Sequence, residues 1–260
     1  MLASTWTLGA SRSSLSDPGR EVSMLSSARE DLRALFSKNF LFGTLSDRDV
    51  DGLLAYARLV RYRAGNEIFA KGSPGLSLMA VLEGTVRISV PSDNGREITL
   101  NLIHSGEIFG EIGLLDGRDR SADAIAATDC ELLVLSRRDF LPFLERRPEV
   151  CIKVIELLCQ RLRQTSEQVE ELSFWLLEER LAKALLRLAH EHMSPAAPGR
   201  PIHLRITQRE LGNMVGGSRE HVNKQLQGWQ KSGLIEIAKG EIILRDPGAL
   251  AELCDPSREL

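Results

Sequence analysis

The sequence predicts an α+β protein in three consecutive parts: an antiparallel β-roll, a long helix carrying a coiled-coil seam, and a small winged helix-turn-helix module. Three observations point to this. Between Arg58 and Leu135, short β-like runs alternate with glycines at 65, 72, 75, 84, 95 and 106, the rhythm of an antiparallel roll or jelly roll. From Ile155 to Leu176, apolar residues recur on a heptad, as in a two-stranded coiled coil. After Thr207 come a capping box, a Gly-Gly turn and a second amphipathic helix.

Bulk composition narrows the function classes. The chain has 260 residues, 43% hydrophobic and 27% charged, which suits two soluble domains in the cytoplasm. No apolar run approaches the roughly 20 residues of a membrane span. Cys130, Cys151, Cys159 and Cys254 have no CxxC spacing, so they suggest neither zinc nor an iron-sulfur cluster and read as reduced, mostly buried thiols. The net charge of −3 is unevenly spread: Trp175 to Asp246 holds 11 Lys and Arg against 8 Asp and Glu, a balance of +3, leaving −6 elsewhere. Only the C-terminal module has the sign that a phosphate backbone favours.

Residues 1–27, with eight serines and no hydrophobic period, read as a disordered leader. It lacks the apolar core of a signal peptide. An organellar transit peptide, or a start at Met24, stays open. Residues 28–147 form the roll with flanking helices. Leu32, Leu35 and Phe36 mark one helical pattern; Val50, Leu53, Leu54 and Ala57 mark another, behind the N-cap Ser46. The strand-like runs are Glu67–Phe69, Leu78–Leu82, Val86–Val90, Glu97–Ile103 and Glu131–Leu135. A metal enzyme of cupin type needs several histidines inside such a roll, and His104 is the one histidine between Arg58 and Leu135. Neither a nucleophile motif nor a P-loop is present, so no catalytic residue, metal or cofactor is assigned.

One stretch departs from strand and turn: Gly106 to Leu115, followed by Arg120-Ser121. Gly110 and Gly113 permit close backbone approach, and a short helical turn starting there aims N–H groups outward. Arg120 and Ser121 add donors, making an anion cradle. Glu111 beside it asks for a hydroxyl donor, as a ribose next to a phosphate provides. A surface Glu-Arg pair beside a glycine turn would look the same on spacing alone.

Residues 148–177 carry the seam and a hinge: Ile155, Leu162, Val169 and Leu176 at one heptad position, Leu158, Thr165 and Leu172 at the other. Thr165 is the polar intruder. An amphipathic helix on its own core would show a similar stripe. Glu179 falls where the next apolar residue is due, so Phe174 to Glu178 is a candidate hinge.

Residues 178–248 form the last module, and 249–260 a tail. His190 to Pro201 reads as an exposed loop, with three prolines and a glycine. Thr207-Gln-Arg-Glu210 caps a helix through Val215, and Gly216-Gly217 turns the chain. Ser218 then caps a helix burying Val222, Leu226 and Trp229 and presenting Arg219, Glu220, Asn223, Lys224 and Gln227. That is the geometry of a major-groove reader, although any small helical hairpin also has one polar face. A Lys239-Gly240 turn between Leu234–Ile237 and Glu241–Leu244 completes a wing.

Arg63 to Gly72, Val81 to Val86 and Gly106 to Leu115 with Arg120-Ser121-Ala122 resemble the cyclic-nucleotide-binding roll of the cyclic-AMP receptor protein and fumarate-nitrate regulator (Crp/Fnr) superfamily, over roughly residues 40–245. The resemblance implies that Glu111 holds a ribose hydroxyl, that Arg120 and Ser121 hold the cyclic phosphate, and that Gly110 and Ile112 add backbone groups. Thr165 and Ser166 resemble the adenine-contacting pair supplied by two subunits; a polar seam residue could instead fix helix register. Gly217-Ser-Arg-Glu220 with Val222 matches the family's recognition helix, making Thr207, Gln208, Ser218, Arg219, Glu220, Asn223 and Lys224 the candidate DNA contacts, with Arg219 suited to guanine. Lys224 departs from the best-known member, which has a second arginine there. The implied protein is a homodimeric transcription regulator of a palindromic operator, without a membrane partner. Its allosteric ligand is cyclic AMP, with cyclic GMP, cyclic di-GMP or a redox or haem signal as alternatives. The resemblance extends to a contact with RNA polymerase through the 190–201 loop, whose sequence departs from that of the best-known member.

Overall fold

The computed structural model describes residues 45–92, 97–192, 202–238 and 240–254. The leader, the Leu32–Phe36 pattern, residues 193–201 of the expected His190–Pro201 loop, Lys239 and the last six residues lie outside the described residues; the expected start of that loop is too early, since His190–His192 still belong to a helix. The described chain forms two compact units, the first ending at Leu162 and the second starting at Arg163, with Pro91–Ile98 grouped into the second.

The first unit opens with α1 (Asp47–Leu54), capped as expected by Ser46, whose hydroxyl accepts from the Asp49 N–H. Eight strands follow: β1 (Arg58–Tyr62), β2 (Glu67–Phe69), β3 (Ser77–Glu83), β4 (Val86–Pro91), β5 (Glu97–Ile103), β6 (Ile108–Phe109), β7 (Asp123–Ala126) and β8 (Cys130–Ser136). They make two four-stranded sheets, ordered β1-β8-β3-β6 and β2-β7-β4-β5; β1 with β8, β3 with β8 and β6, and β7 with β2 and β4 pair antiparallel, β3 facing β8 from Ser77↔Ser136 onward.

The central strand shows why its apolar run is continuous. Met79 and Val81 point into the roll with Val86, Ile103, Phe109, Leu132 and Val134. Leu78, Ala80 and Leu82 point the other way, onto Val50, Leu53, Phe140, Leu144, Val150 and Val154 of the covering helices. Successive strand residues face opposite sides, so a strand covered on both sides loses its polar alternation. The β3–β4 turn depends on Gly84: its φ is +91°, and a Cβ there would run into the Asp129 carbonyl.

α2 (Glu111–Asp116) lies between β6 and β7, and α3 (Arg137–Glu145) follows β8. Next comes α4 (Pro148–Phe174), whose 27 residues span about 40 Å. The seam side chains of α4 stay uncovered within one chain: Ile155, Val169 and Leu172 are exposed and Leu162 is 67% exposed, while Leu158 packs partly on the roll's outer cluster.

The helix stops at Phe174 and α5 (Leu177–His192) begins three residues later, inside the expected hinge. Glu179 has a reason to break the heptad: its carboxylate accepts the Leu176 N–H at 2.6 Å, capping α5. Lys183 reinforces this joint by pairing with Glu171 at 2.6 Å and lying 5.0 Å from the Trp175 ring centre.

The second unit continues with β9 (Ile202–Leu204), α6 (Gln208–Val215), α7 (Arg219–Lys231), β10 (Ile235–Ala238), β11 (Glu241–Leu244) and α8 (Pro247–Glu252). Its sheet is ordered β10-β11-β9. Leu181, Leu185, Leu211, Val215, Val222, Leu226 and Trp229 are buried in it.

The cysteine expectation needs correction. All four are free thiols, but only Cys130 is buried; Cys151 and Cys254 are half-buried and Cys159 is exposed, because α4 presents that side to the outside. Among the described residues no helix is long and apolar enough to cross a membrane, and no three His, Cys, Asp or Glu side chains gather as a metal site.

Candidate functional site

The roll presents its unusual chemistry where β6 passes into α2. Gly110 makes the junction with φ +80°. A Cβ there would sit 2.6 Å from Arg120 Nη1, so glycine serves the backbone and makes room for the guanidinium. Arg120 is only 5% exposed and Glu111 only 3%.

The Arg120 guanidinium is held on three sides. Nη1 donates to the Gly110 carbonyl at 2.8 Å, Nη2 donates to Ser77 Oγ at 2.9 Å, and the group stacks 4.1 Å from the Phe69 ring centre. Its Nε is buried without a hydrogen-bond partner. Burial pulls the Arg120 pKa down, and the Glu111 carboxylate partly opposes this. The guanidinium is therefore fixed and poorly hydrated, a state that favours an incoming anion. Ser121 beside it is exposed, as is Ile112 on α2.

Glu111 reveals a residue the sequence reading missed. Arg161, on α4, places Nε 3.1 Å from Glu111 Oε1 and donates from Nη2 to the Ile108 carbonyl at 2.6 Å. The ion pair is close but not aligned as a hydrogen bond, and Glu111 Oε1 keeps unused accepting capacity. The pair is thus no surface decoration beside a turn. Arg161 escaped notice because it precedes Leu162 in the seam, where a charged residue ordinarily pairs with a partner helix. Thr165 and Ser166, further along the same helix, are exposed.

In the second unit the helix-turn-helix forms as the sequence predicts. Thr207 and Glu210 make a reciprocal capping box on α6, Gly216 turns with φ +65°, and Ser218 Oγ accepts the His221 N–H at the start of α7. Thr207 and Ser218 are thereby engaged as caps. Arg219, Glu220 and Lys224 are exposed on one face of α7. Asn223 on that face is half-buried, because Gln208 Nε2 reaches across from α6 and donates to its Oδ1 at 3.0 Å.

Comparison with known proteins matches both parts. Residues 59–147 fit the cyclic nucleotide-binding domain and residues 179–253 the Crp-like helix-turn-helix domain. The chain is 36% identical to the cyclic AMP receptor protein of Thermus thermophilus over 213 residues, covering 82% of this chain and 95% of that one. It is 33% identical to the cAMP-activated global transcriptional regulator CRP of Haemophilus influenzae, covering 77% and 89%. Among solved structures, the c-di-GMP responsive global regulator CLP of Xanthomonas campestris superposes with a TM-score of 0.69 at 26% identity, covering 76% of this chain and 99% of that one.

Two outcomes test these assignments. Arg161→Met strands the buried Glu111 carboxylate and should cost the fold about 3 kcal/mol in urea unfolding, whereas the double variant Arg161→Met/Glu111→Leu should recover most of the loss; an unchanged midpoint in the single variant would refute the pairing. Arg219→Ala should weaken binding to a specific duplex by about 1 to 3 kcal/mol, and an equal loss on random duplex would reduce Arg219 to a phosphate contact.

Proposed function

We propose, for a chain that belongs to the Crp/Fnr family of cyclic-nucleotide-binding transcription regulators, that cyclic AMP is its ligand and that the nucleotide favours a DNA-competent homodimer. The observation that carries this reading is the buried pair of Arg120 and Glu111, whose Nε and Oε1 retain unused hydrogen-bonding capacity. A guanidinium with a spare donor suits a cyclic phosphate, and a carboxylate with a spare acceptor suits a ribose hydroxyl. Ser121 adds a hydroxyl and Gly110 and Ile112 backbone groups. Thr165 and Ser166 take the purine from two chains at once.

The exposed apolar stripe of α4 supports pairing between two copies. Two paired chains carry two recognition helices, and a palindromic operator with half-sites about one DNA turn apart matches that symmetry. Ligand can drive the change only by binding one arrangement of the dimer better than the other. We propose neither catalysis nor a cofactor.

A second reading, cyclic di-GMP, is favoured by the likeness to the Xanthomonas regulator described as responsive to that nucleotide. Calorimetry separates the two. Cyclic AMP should titrate one site per chain, and Arg120→Ala should weaken it at least about a hundredfold while leaving a folded dimer, as expected when a buried charge-assisted contact is lost. Heat with cyclic di-GMP alone would establish the second reading. Absence of heat with cyclic AMP, cyclic GMP and cyclic di-GMP would remove the nucleotide claim, and unchanged affinity in the variant would refute the role of Arg120.

A further inference from the structure

The recognition helix carries five polar side chains on its outer face, and one of them is hydrogen-bonded to the neighbouring helix. Arg219, Glu220, Lys224 and Gln227 are exposed, whereas Asn223 is half-buried. It lies one helical turn beyond Arg219, so the two share a face. Its Oδ1 accepts from Gln208 Nε2 at 3.0 Å. Gln208 is the first residue of α6, and its backbone is anchored by the capping box that Thr207 and Glu210 close around it.

A carboxamide has an oxygen acceptor on one side and an NH2 donor on the other. With the oxygen turned towards Gln208, the NH2 of Asn223 is what remains for a partner outside the helix pair. An asparagine with both ends available reads adenine bidentately, through N6 and N7. One with its oxygen engaged offers donors alone, which find acceptors at guanine O6 and N7 or thymine O4, while at adenine they reach N7 but lose the N6 contact.

We propose that Gln208 is a positioning residue for DNA specificity: by holding the Asn223 oxygen inward, it makes position 223 read an acceptor edge, guanine or thymine. The inference rests on the assignment of α7 as the DNA-reading helix. It assigns Gln208 a role besides any contact of its own with the duplex.

The test reverses the amide. In Gln208→Glu the side chain at 208 has only acceptors, so Asn223 turns its NH2 inward and its oxygen outward. The outward acceptor then suits cytosine N4 or adenine N6. Full-length wild type, Gln208→Glu, Gln208→Met, Asn223→Ala and Arg219→Ala are each used to select duplexes from a random pool, with and without saturating cyclic AMP. The base contacted by residue 223 is the one whose preference disappears in Asn223→Ala; the guanine under Arg219 is the one lost in Arg219→Ala.

At the first position the wild type should enrich guanine or thymine. Gln208→Glu should shift the preference at least tenfold towards cytosine or adenine, while keeping the guanine under Arg219. Gln208→Met, which frees the amide to take either orientation, should flatten that position alone, and it carries the test if the glutamate variant does not fold. The proposal is overturned if the preferred base is the same in wild type and both Gln208 variants. It is also overturned if the Gln208→Glu shift persists when Asn223→Ala is added, since Gln208 would then read the base itself. A wild-type protein that selects no site under either condition would overturn both this inference and the DNA-reading assignment, whereas a selected site without the shift would remove the role of Gln208 alone.

Discussion

Holding Arg120 out of water in the wall of a β-roll imposes conditions on every element around it. A buried guanidinium is costly unless its donors are engaged, and here the Gly110 carbonyl, Ser77 Oγ and the Phe69 face meet that need. Each provider comes from a different segment, so the strands must register before the charge can be accommodated. The same requirement explains Gly110, since a side chain there would occupy the space of Arg120. Glu111 faces the mirror-image problem and meets Arg161, a residue of the long helix. Val150 and Val154 pack the start of that helix onto the roll. The charge in the roll and the first turns of the helix are thus parts of one packing problem.

Two kinds of incompleteness remain within each chain, and both point outward. Arg120 Nε and Glu111 Oε1 are buried with hydrogen-bonding capacity unspent, and buried polar atoms in that state call for an explanation; a small polar ligand supplies one. Leu162, Val169, Leu172 and Leu176 form an exposed apolar row, which a second copy of the helix would cover. Family membership and these local observations agree in kind, although they rest on different grounds. The net positive module is the one that carries the exposed Arg219 and Lys224, consistent with a phosphate-bearing partner.

What could be read in the sequence followed physical scale. Glycine-spaced β runs, the heptad and the capping boxes are local patterns, and the roll, helix and helix-turn-helix appear where those patterns lie. Gly110, Glu111 and Arg120 also stood out, because glycine next to ionisable residues within one short stretch is a local signal. Other features depend on partners distant in sequence. β6 has two residues and β9 three, too short for a period; β7 exposes its role only in register with β4. In sequence, Arg161 is an ordinary flank of the seam, and its partner Glu111 lies on a distant segment of the chain. The Gln208–Asn223 bond likewise joins two helices, 15 residues apart, and no spacing rule marks it. The expectation of mostly buried cysteines fails for Cys159 for the opposite reason: an apolar-leaning residue in an amphipathic helix does not announce which side will be covered.

The central claim is that a nucleotide read by Arg120 and Glu111 governs the affinity of Arg219 and its neighbours for DNA. Fluorescence anisotropy of a labelled duplex carrying the protein's selected site, at fixed salt with and without saturating cyclic AMP, tests it most directly. The account predicts at least about tenfold tighter binding with the nucleotide, a coupling in the ordinary allosteric range, and no such gain when Arg120 is replaced by alanine. Equal affinity for that site with and without the nucleotide would contradict it.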